Sequence, residues 1–288
     1  MDLALILGIE ILYGIASLVL ISAGLAVIFG MMRVINLAHG EFLMLGGYAT
    51  IVGVNAGLNV YLSMLILAPL VVGVIGLVVE RLVIRFLYGR LLDTMLATWG
   101  LSLLFIGLVT TIFGNTTTGI STPIPGVTVG AYQMGGYNLF VILVAALLLV
   151  GLYAALRFTT WGLIAQGTMQ NPEMASAMGV NPDRVYAITF AAGAAISGLA
   201  GGVLAPLTGI VPSIGGAYIA KAFITVISGG ASIVMGTGSA AVFLGGLSQS
   251  VTLAYNPVLG DVALLLAAII LLRLLPQGIT GRFFRGRL

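Results

Sequence analysis

Charged side chains are scarce in this sequence. They make up 7% of the 288 residues, whereas hydrophobic residues make up 60%. Soluble domains usually carry about a quarter charged residues. Because so few charges cannot cover a surface in contact with water, most of the surface is expected to face lipid. The net charge of +3 does not indicate nucleic-acid binding, since the basic residues stand in short clusters between apolar runs, as membrane orientation signals do.

Cysteine is absent, and histidine and lysine each occur once, as His39 and Lys221. The lack of cysteine excludes disulfides and thiolate metal sites, and a lone histidine cannot build a histidine metal site, so no metal and no cofactor are expected. A P-loop needs a lysine within G-x-x-x-x-G-K-[ST], and Lys221 lies in Y-I-A-K-A-F. This sequence therefore cannot bind ATP through a P-loop.

Long apolar stretches interrupted by turn signals predict an all-α polytopic membrane protein. A bilayer core about 30 Å thick needs roughly 20 apolar residues per helix. We expect nine spans, within a range of eight to ten, and residues 1–288 as a single transmembrane domain. The predicted spans cover residues 5–30, 36–56, 61–86, 94–113, 138–157, 185–206, 219–235, 238–255 and 258–275.

The basic residues predict the orientation of these spans. An N-terminus outside the cytoplasm places ten of the eleven basic residues in cytoplasmic segments and leaves only Lys221 outside. The N-terminus is therefore expected to be periplasmic and the C-terminus cytoplasmic. The Gly-, Thr- and Pro-rich segment 114–137 is then a periplasmic loop, and the polar segment 158–184 is the longest cytoplasmic one.

Polar residues at membrane depth cluster around the start of the second predicted span. Asn36, His39 and Glu41 stand within six residues of one another. One interpretation is a helix start in which Asn36 caps and Glu41 favours the helix dipole. The other is a broken helix whose end lines a solute path, because ionisable groups in the membrane usually face a cavity or a partner. The pair Gly229-Gly230 predicts a local break or a very close helix crossing.

Small residues recur at a spacing of four in the later spans. Such rows let helix backbones approach closely, so they predict tight packing. The rows are Gly193, Ser197 and Gly201; Ala194, Gly198 and Gly202; and Ala241 with Gly245.

The cytoplasmic segment 158–184 contains the signature of a short helix. Asn171 is a candidate N-cap, followed by a proline at the first helical position, and Gly179 can end the helix. Because a helix this short is marginal in water, something should dock it. It either lies on lipid or inserts into a groove on a cytoplasmic partner.

Four motifs together resemble the permease subunits of branched-chain amino acid importers of the ABC class. They are G-L-A-V-I-F-G-M-M-R-V-I-N-L-A-H-G-E-F at 24–42, Q-N-P-E-M-A-S-A-M-G-V at 170–180, T-V-I-S-G-G-A-S-I-V-M-G-T at 225–237 and L-P-Q-G-I-T-G-R at 275–282. A fifth, D-T-M-L-A-T-W-G-L-S-L at 93–103, is more similar to the family's urea and short-chain amide branch. The resemblance indicates the type of importer more specifically than the solute that it carries.

This resemblance implies a multi-pass permease of the bacterial inner membrane that carries out no catalysis itself. It implies a second homologous permease, identical or related, two cytoplasmic ATPase subunits, and a periplasmic solute-binding protein. The expected translocation-path residues are Asn36, His39, Glu41, Thr98, Ser102, Gly229 and Gly230. The expected ATPase-coupling residues are Glu173, Met174, Ala175, Ala177, Met178 and Gly179.

Two other classes of protein compete with this interpretation. A passive channel or secondary transporter would not need the capped helix near 171–179, and proton coupling would favour several buried carboxylates. Glu41 is the one carboxylate expected well inside a span. A membrane enzyme is disfavoured because no catalytic set assembles around one histidine and few acids.

Overall fold

A computed structural model describes residues 2–129, 132–230 and 232–283, and helices account for most of them. Its α-helices are α1 (Asp2–Met32), α2 (His39–Asn55), α3 (Val60–Leu62), α4 (Ala68–Leu82), α5 (Leu91–Phe113), α6 (Gly136–Phe158), α7 (Thr160–Gln170), α8 (Pro172–Ala177), α9 (Pro182–Thr208), α10 (Gly215–Gly229), α11 (Ile233–Ala254), α12 (Pro257–Leu274) and α13 (Gly278–Phe283). A π-helical turn, Ser63–Leu67, joins α3 to α4, and a 3₁₀ turn, Ile84–Leu87, follows α4. The predicted all-α polytopic class is confirmed.

Six helical runs in the described chain are long and apolar enough to cross a membrane, or seven if the bent pair α10 and α11 counts as one span. Each of the nine predicted spans contains a helix, but two features lower the number of helices that are long and apolar enough to cross a membrane. Helix α2 has only 17 residues and is mostly buried, and the predicted seventh and eighth spans form the bent pair. The six runs are Asp2–Met32, Val60–Leu82, Leu91–Phe113, Gly136–Phe158, Pro182–Thr208 and Pro257–Gly281.

Both predicted loops contain secondary structure that the sequence analysis did not predict. Strands β1 (Val127–Val129) and β2 (Tyr132–Met134) form an antiparallel hairpin within segment 114–137. Helix α7 occupies the first half of segment 158–184, and the Thr159 side chain accepts a hydrogen bond from Gly162 N at 3.0 Å to cap it. In the basic tail, Arg285 and Arg287 lie outside the described residues.

The contacts divide the chain into two units. The first comprises Met1–Ser22, Ser121–Val150 and Lys221–Leu288, and the second comprises Ala23–Ile120 and Gly151–Ala220. In the second unit, α9 packs against α2 and α4.

The predicted rows of small residues explain how closely α9 is packed. A methyl group added at Gly201 would lie 1.8 Å from the Leu43 carbonyl oxygen of α2. One added at Gly198 would lie 2.8 Å from the Ala68 carbonyl oxygen at the start of α4. The backbones touch because no side chain separates them, so the predicted tight packing is confirmed.

In the first unit, α11 packs against the early part of α1 and against α12. A methyl group at Gly245 would lie 3.0 Å from the Ile15 Cα atom, and one at Gly260 would lie 1.9 Å from the Thr252 hydroxyl oxygen. The Asn138 amide donates to a Glu10 carboxylate oxygen at 2.8 Å. These contacts place the small residue Gly245 of the third predicted row at a helix crossing as well.

Helix α5 has a polar buried face and an apolar exposed face, as a helix in contact with lipid does. Its buried face carries Thr94, Thr98 and Ser102 at a spacing of four, while Leu96 and Trp99 are exposed. In a water-soluble helix the apolar face would be buried. The inverted arrangement fits a helix that faces lipid outside and polar neighbours inside.

Candidate functional site: a buried polar cluster and an exposed cytoplasmic helix

A short non-helical stretch separates α1 from α2 and carries the first residue of the predicted path. Arg33 adopts a positive φ of 51°, which ends α1. The buried Asn36 side chain accepts a hydrogen bond from Ala38 N at 3.0 Å, and α2 begins at His39. The N-cap position of α2 is Ala38, and no side chain caps the helix, so the interpretation of Asn36 as the cap is wrong. The Asn36 side chain instead stabilises the turn just before the helix. Among the described residues, its amide nitrogen has no hydrogen-bond partner.

His39 is completely buried between α2 and α9. Its Nδ1 atom lies 3.3 Å from the Ser197 hydroxyl oxygen, and that hydroxyl donates to the Gly193 carbonyl oxygen at 2.8 Å. The tautomer of the ring decides which of the two groups is the donor in the contact between His39 and Ser197. A histidine in this position joins two helices of the second unit through a polar contact.

Glu41 is also buried, with 2% of its surface exposed. Its carboxyl group lies against the backbone of Gly215, the first residue of α10, and the Ser102 hydroxyl lies beside it. A carboxylate near a helix N-terminus is stabilised by the helix dipole. Its Oε2 atom has no hydrogen-bond partner within the described part of the chain. A buried carboxylate oxygen without a partner is costly, so a hydrogen-bond donor brought to this atom would stabilise it.

Thr98 and Ser102 belong to the buried polar face of α5. The Thr98 hydroxyl accepts a hydrogen bond from Leu37 N at 3.0 Å and donates to the Thr94 carbonyl oxygen at 2.8 Å. The threonine therefore fixes the stretch before α2, while Ser102 faces Glu41. Of the seven predicted path residues, Asn36, His39, Glu41, Thr98 and Ser102 lie in the second unit.

Gly229 and Gly230 belong to the first unit, where they form both a break and a close crossing. Helix α10 ends at Gly229, and Gly230 has a φ of 85°, which favours glycine. The Thr280 hydroxyl of α13 donates to the Gly229 carbonyl oxygen at 2.6 Å and accepts from Ser232 N at 3.2 Å. Helix α13 therefore fastens the junction between α10 and α11.

Helix α8 has the start and the end that the sequence predicts. The Asn171 side chain accepts from Met174 N at 2.9 Å. At the other end Gly179 has a φ of 85°, and Val180 N donates to the Ala175 carbonyl oxygen at 3.0 Å, which is the Schellman arrangement.

The surface of α8 is apolar and exposed. Met174 and Met178 have 59% and 79% of their surface exposed, whereas Ala175 is half-buried. The two methionines are four residues apart, so they share one face. Glu173, Ala177 and Gly179 are also exposed.

Two partners of the polar cluster were missed by the sequence analysis. Ser197 stood in a row interpreted as packing alone, although a hydroxyl at a close helix crossing is also a potential hydrogen-bond partner. Gly215, which lies against Glu41, carries no local signal, because its approach depends on how α10 is placed relative to α2.

The structure defines a class of protein: a multi-pass membrane protein with apolar outer surfaces and a buried polar cluster that contains two ionisable residues, His39 and Glu41. The family model described as "Branched-chain amino acid transport system / permease component" matches residues 8–275. The chain therefore belongs to this family of membrane permease components, and it is a multi-pass protein of the inner membrane.

Individual relatives match over nearly their whole length. The chain is 26% identical over 284 residues to the high-affinity branched-chain amino acid transport system permease protein LivH of Escherichia coli, with 91% of each chain covered. It is 29% identical to the corresponding protein BraD of Pseudomonas aeruginosa, again with 91% of each covered. The probable LivH of Methanocaldococcus jannaschii is 29% identical, with 92% of this chain and 88% of the relative covered. No solved structure matches.

Proposed function

We propose that this chain is the permease subunit of an ABC importer that carries branched-chain or other hydrophobic amino acids across the inner membrane. Its relatives from three organisms are named as branched-chain amino acid transport permeases, and they match over most of their length. A second homologous permease, two cytoplasmic ATPase subunits and a periplasmic binding protein complete the importer. Because the sequence has no P-loop, ATP is hydrolysed by the ATPase subunits.

The single structural observation that carries this proposal is the buried Glu41 carboxyl group. Among the described residues, its Oε2 atom has no hydrogen-bond partner, and it lies inside a protein of apolar helices. Keeping such a group in the membrane costs free energy, and it persists where it serves a polar pathway. A carboxylate oxygen can accept a hydrogen bond from the ammonium group of an amino acid. Ser102 and Thr98 line the adjacent face of α5 and continue the polar surface.

The exposed methionine face of α8 supports the coupling to an ATPase. An amphipathic helix that leaves its apolar face in water is stabilised when that face docks in a groove. We assign Glu173, Met174, Ala175, Ala177, Met178 and Gly179 to this contact.

The transport assay tests the cargo directly. The permease, its partner permease, the ATPases and the binding protein are reconstituted in proteoliposomes with ATP inside. Uptake of labelled leucine, isoleucine or valine is expected, and urea and acetamide are expected not to compete. Competition by urea or acetamide, without competition by amino acids, would instead assign the importer to the urea and short-chain amide branch of the family.

His39→Leu is expected to reduce uptake by about tenfold, because leucine removes the contact with Ser197 and leaves a buried hydroxyl with one partner fewer. The readouts are uptake and co-purification with the ATPase, and the latter should be retained. His39→Asn, whose side-chain amide can occupy the position of Nδ1, is the matched control and should restore part of the uptake. Normal uptake by His39→Leu would show that His39 contributes to packing and is not needed for transport.

The orientation can be tested with single cysteines, since the natural sequence contains none. Ser176 and Asn115 are both exposed, in segments predicted to be cytoplasmic and periplasmic. An impermeant thiol reagent added to intact cells should label Asn115→Cys, and it should label Ser176→Cys only after the cells are opened. The opposite pattern would reverse the proposed orientation.

A further inference from the structure

A second polar pocket lies in the second unit, apart from the cluster around Glu41. Its volume is about 310 Å³, and it lies between the end of α4, the 3₁₀ turn that follows α4, and the start of α9. Its lining residues are Glu80, Arg81, Arg85, Asn181, Asp183, Arg184 and Ala187. The chain enters α9 directly from α8, so the pocket adjoins the proposed coupling helix.

Glu80 is the buried carboxyl residue of this pocket. Its side chain is 1% exposed, although it lines the pocket. The Tyr88 hydroxyl donates to its Oε1 atom, while Oε2 has no hydrogen-bond partner among the described residues. Burial raises the pKa of the Tyr88 phenol, and the Glu80 carboxylate raises it further, so the tyrosine stays protonated and holds the carboxylate in place. A hydrogen-bond donor entering the pocket would stabilise the remaining oxygen.

The arginines supply the complementary half of the site. Arg85 is paired with Asp183 at 2.8 Å. Within the part of the chain that the structure describes, neither Arg81 nor Arg184 has a carboxylate at ion-pair distance. Two guanidinium groups that form no ion pair favour an anionic group of a ligand, and carboxylates bind guanidinium through paired hydrogen bonds.

We infer that this pocket binds an α-amino acid through its carboxylate and ammonium groups, and that cytoplasmic amino acid bound there slows the importer. The ligand carboxylate lies at Arg81 and Arg184, and its ammonium group donates to Glu80 Oε2. The second part of the inference rests on the proposed function, because it takes the bound amino acid to be the imported product. Apart from Ala187 the lining is polar, so the pocket recognises the groups that all α-amino acids share rather than the side chain.

The position of the pocket explains how binding can act on transport. A ligand held between Glu80 of α4 and Arg184 of α9 ties the ends of two helices together. The start of α9 follows α8 in the chain and packs against it, and α8 is the proposed contact with the ATPase. Fixing the start of α9 against α4 opposes any rearrangement of α8 during the transport cycle, because a ligand stabilises the state that binds it.

The experiment compares proteoliposomes that are empty or preloaded with unlabelled L-leucine, and measures the initial uptake of labelled leucine as a ratio of the two. Preloading should slow the wild-type importer. For each variant, the uptake rate is normalised to that of its own empty vesicles. The lumenal L-leucine concentration that halves this rate should be about tenfold higher for Glu80→Gln and for Arg184→Ala than for the wild type. Arg90→Ala is the control, since Arg90 pairs with Asp93 outside the pocket and should leave the response unchanged. An unaffected wild-type rate, or variants that respond like the wild type, would overturn the inference.

Lumenal 4-methylpentanoate, isopentylamine and inorganic phosphate separate an amino-acid site from a simple anion site. None of the three should slow uptake as L-leucine does, and equal inhibition by phosphate or 4-methylpentanoate would overturn the amino-acid assignment. Calorimetric titration of L-leucine into the purified permease measures the pocket without transport. If empty vesicles show no uptake at all, the proposed function fails. The binding site is still supported in that case if Glu80→Gln weakens L-leucine binding in the titration and Arg90→Ala does not.

Discussion

Met174→Glu should lower amino-acid uptake by about tenfold or more, because it places a charge in the proposed contact between α8 and the ATPase. Met174 is 59% exposed and shares its face with Met178, so it offers the apolar surface that a partner groove would cover. A glutamate in the first turn of a helix is favoured by the dipole. The substitution should therefore leave α8 itself intact. Ala175, which is half-buried, is a poorer probe because a larger side chain there would also disturb the packing of α8.

Ser176→Glu provides the matched control. It adds the same charge to the same helix at an exposed position, but residue 176 is two positions from Met174 and points away from the methionine face. The purified variants are compared for co-elution with the ATPase, for ATP hydrolysis stimulated by the binding protein, and for uptake. Equal losses in both variants would show that charge anywhere on α8 is harmful. Wild-type behaviour of Met174→Glu would exclude the methionine face from coupling.

Gly46→Ala should destabilise the membrane domain by about 1–3 kcal/mol, because its methyl group has no room. That group would lie 2.1 Å from the Gly198 carbonyl oxygen, and a backbone atom cannot move aside as a flexible side chain can. Helices α2 and α9 would have to separate, which would also move His39 away from Ser197. The measurement is the thermal unfolding midpoint in detergent, followed by size-exclusion chromatography and uptake.

Gly100→Ala is the control for this substitution. Gly100 lies within α5, and apart from the adjacent backbone of that helix no atom of the described residues lies within 4 Å of an added methyl group. Since alanine is the better helix former, this variant should be unchanged or more stable by up to about 1 kcal/mol. A Gly46→Ala protein as stable as Gly100→Ala would contradict the close backbone contact between α2 and α9.

Sequence alone determined the class of this protein because composition acts everywhere along the chain. With only 7% charged residues, the chain cannot cover a surface that is in contact with water. The rows of small residues indicated close helix crossings, since only short side chains allow backbones to touch. The ends of α8 were also predictable, because an N-cap asparagine and a terminating glycine act within a few residues of their own position.

Helices α7 and α2 show where local patterns stop being sufficient. The segment of α7 looked like a polar loop because its sequence lacks a long apolar run, yet the Thr159 cap and contacts with α9 hold it as a helix. Helix α2 met the composition of a span, but its 17 residues fall short of the length of most spans, and its burial comes from neighbours distant in the sequence.

Which polar groups meet was decided only by the tertiary structure. Asn36, His39 and Glu41 were recognised from their spacing. The contact of His39 with Ser197 depends on α9, and those of Glu41 with Ser102 and Gly215 depend on α5 and α10. The Glu80 pocket is formed in the same way, by residues about a hundred positions apart. A sequence displays the chemistry of each residue and its local helix, whereas the packing of backbones through glycines fixes which side chains share a buried space. That packing depends on long-range contacts whose partners no local pattern specifies.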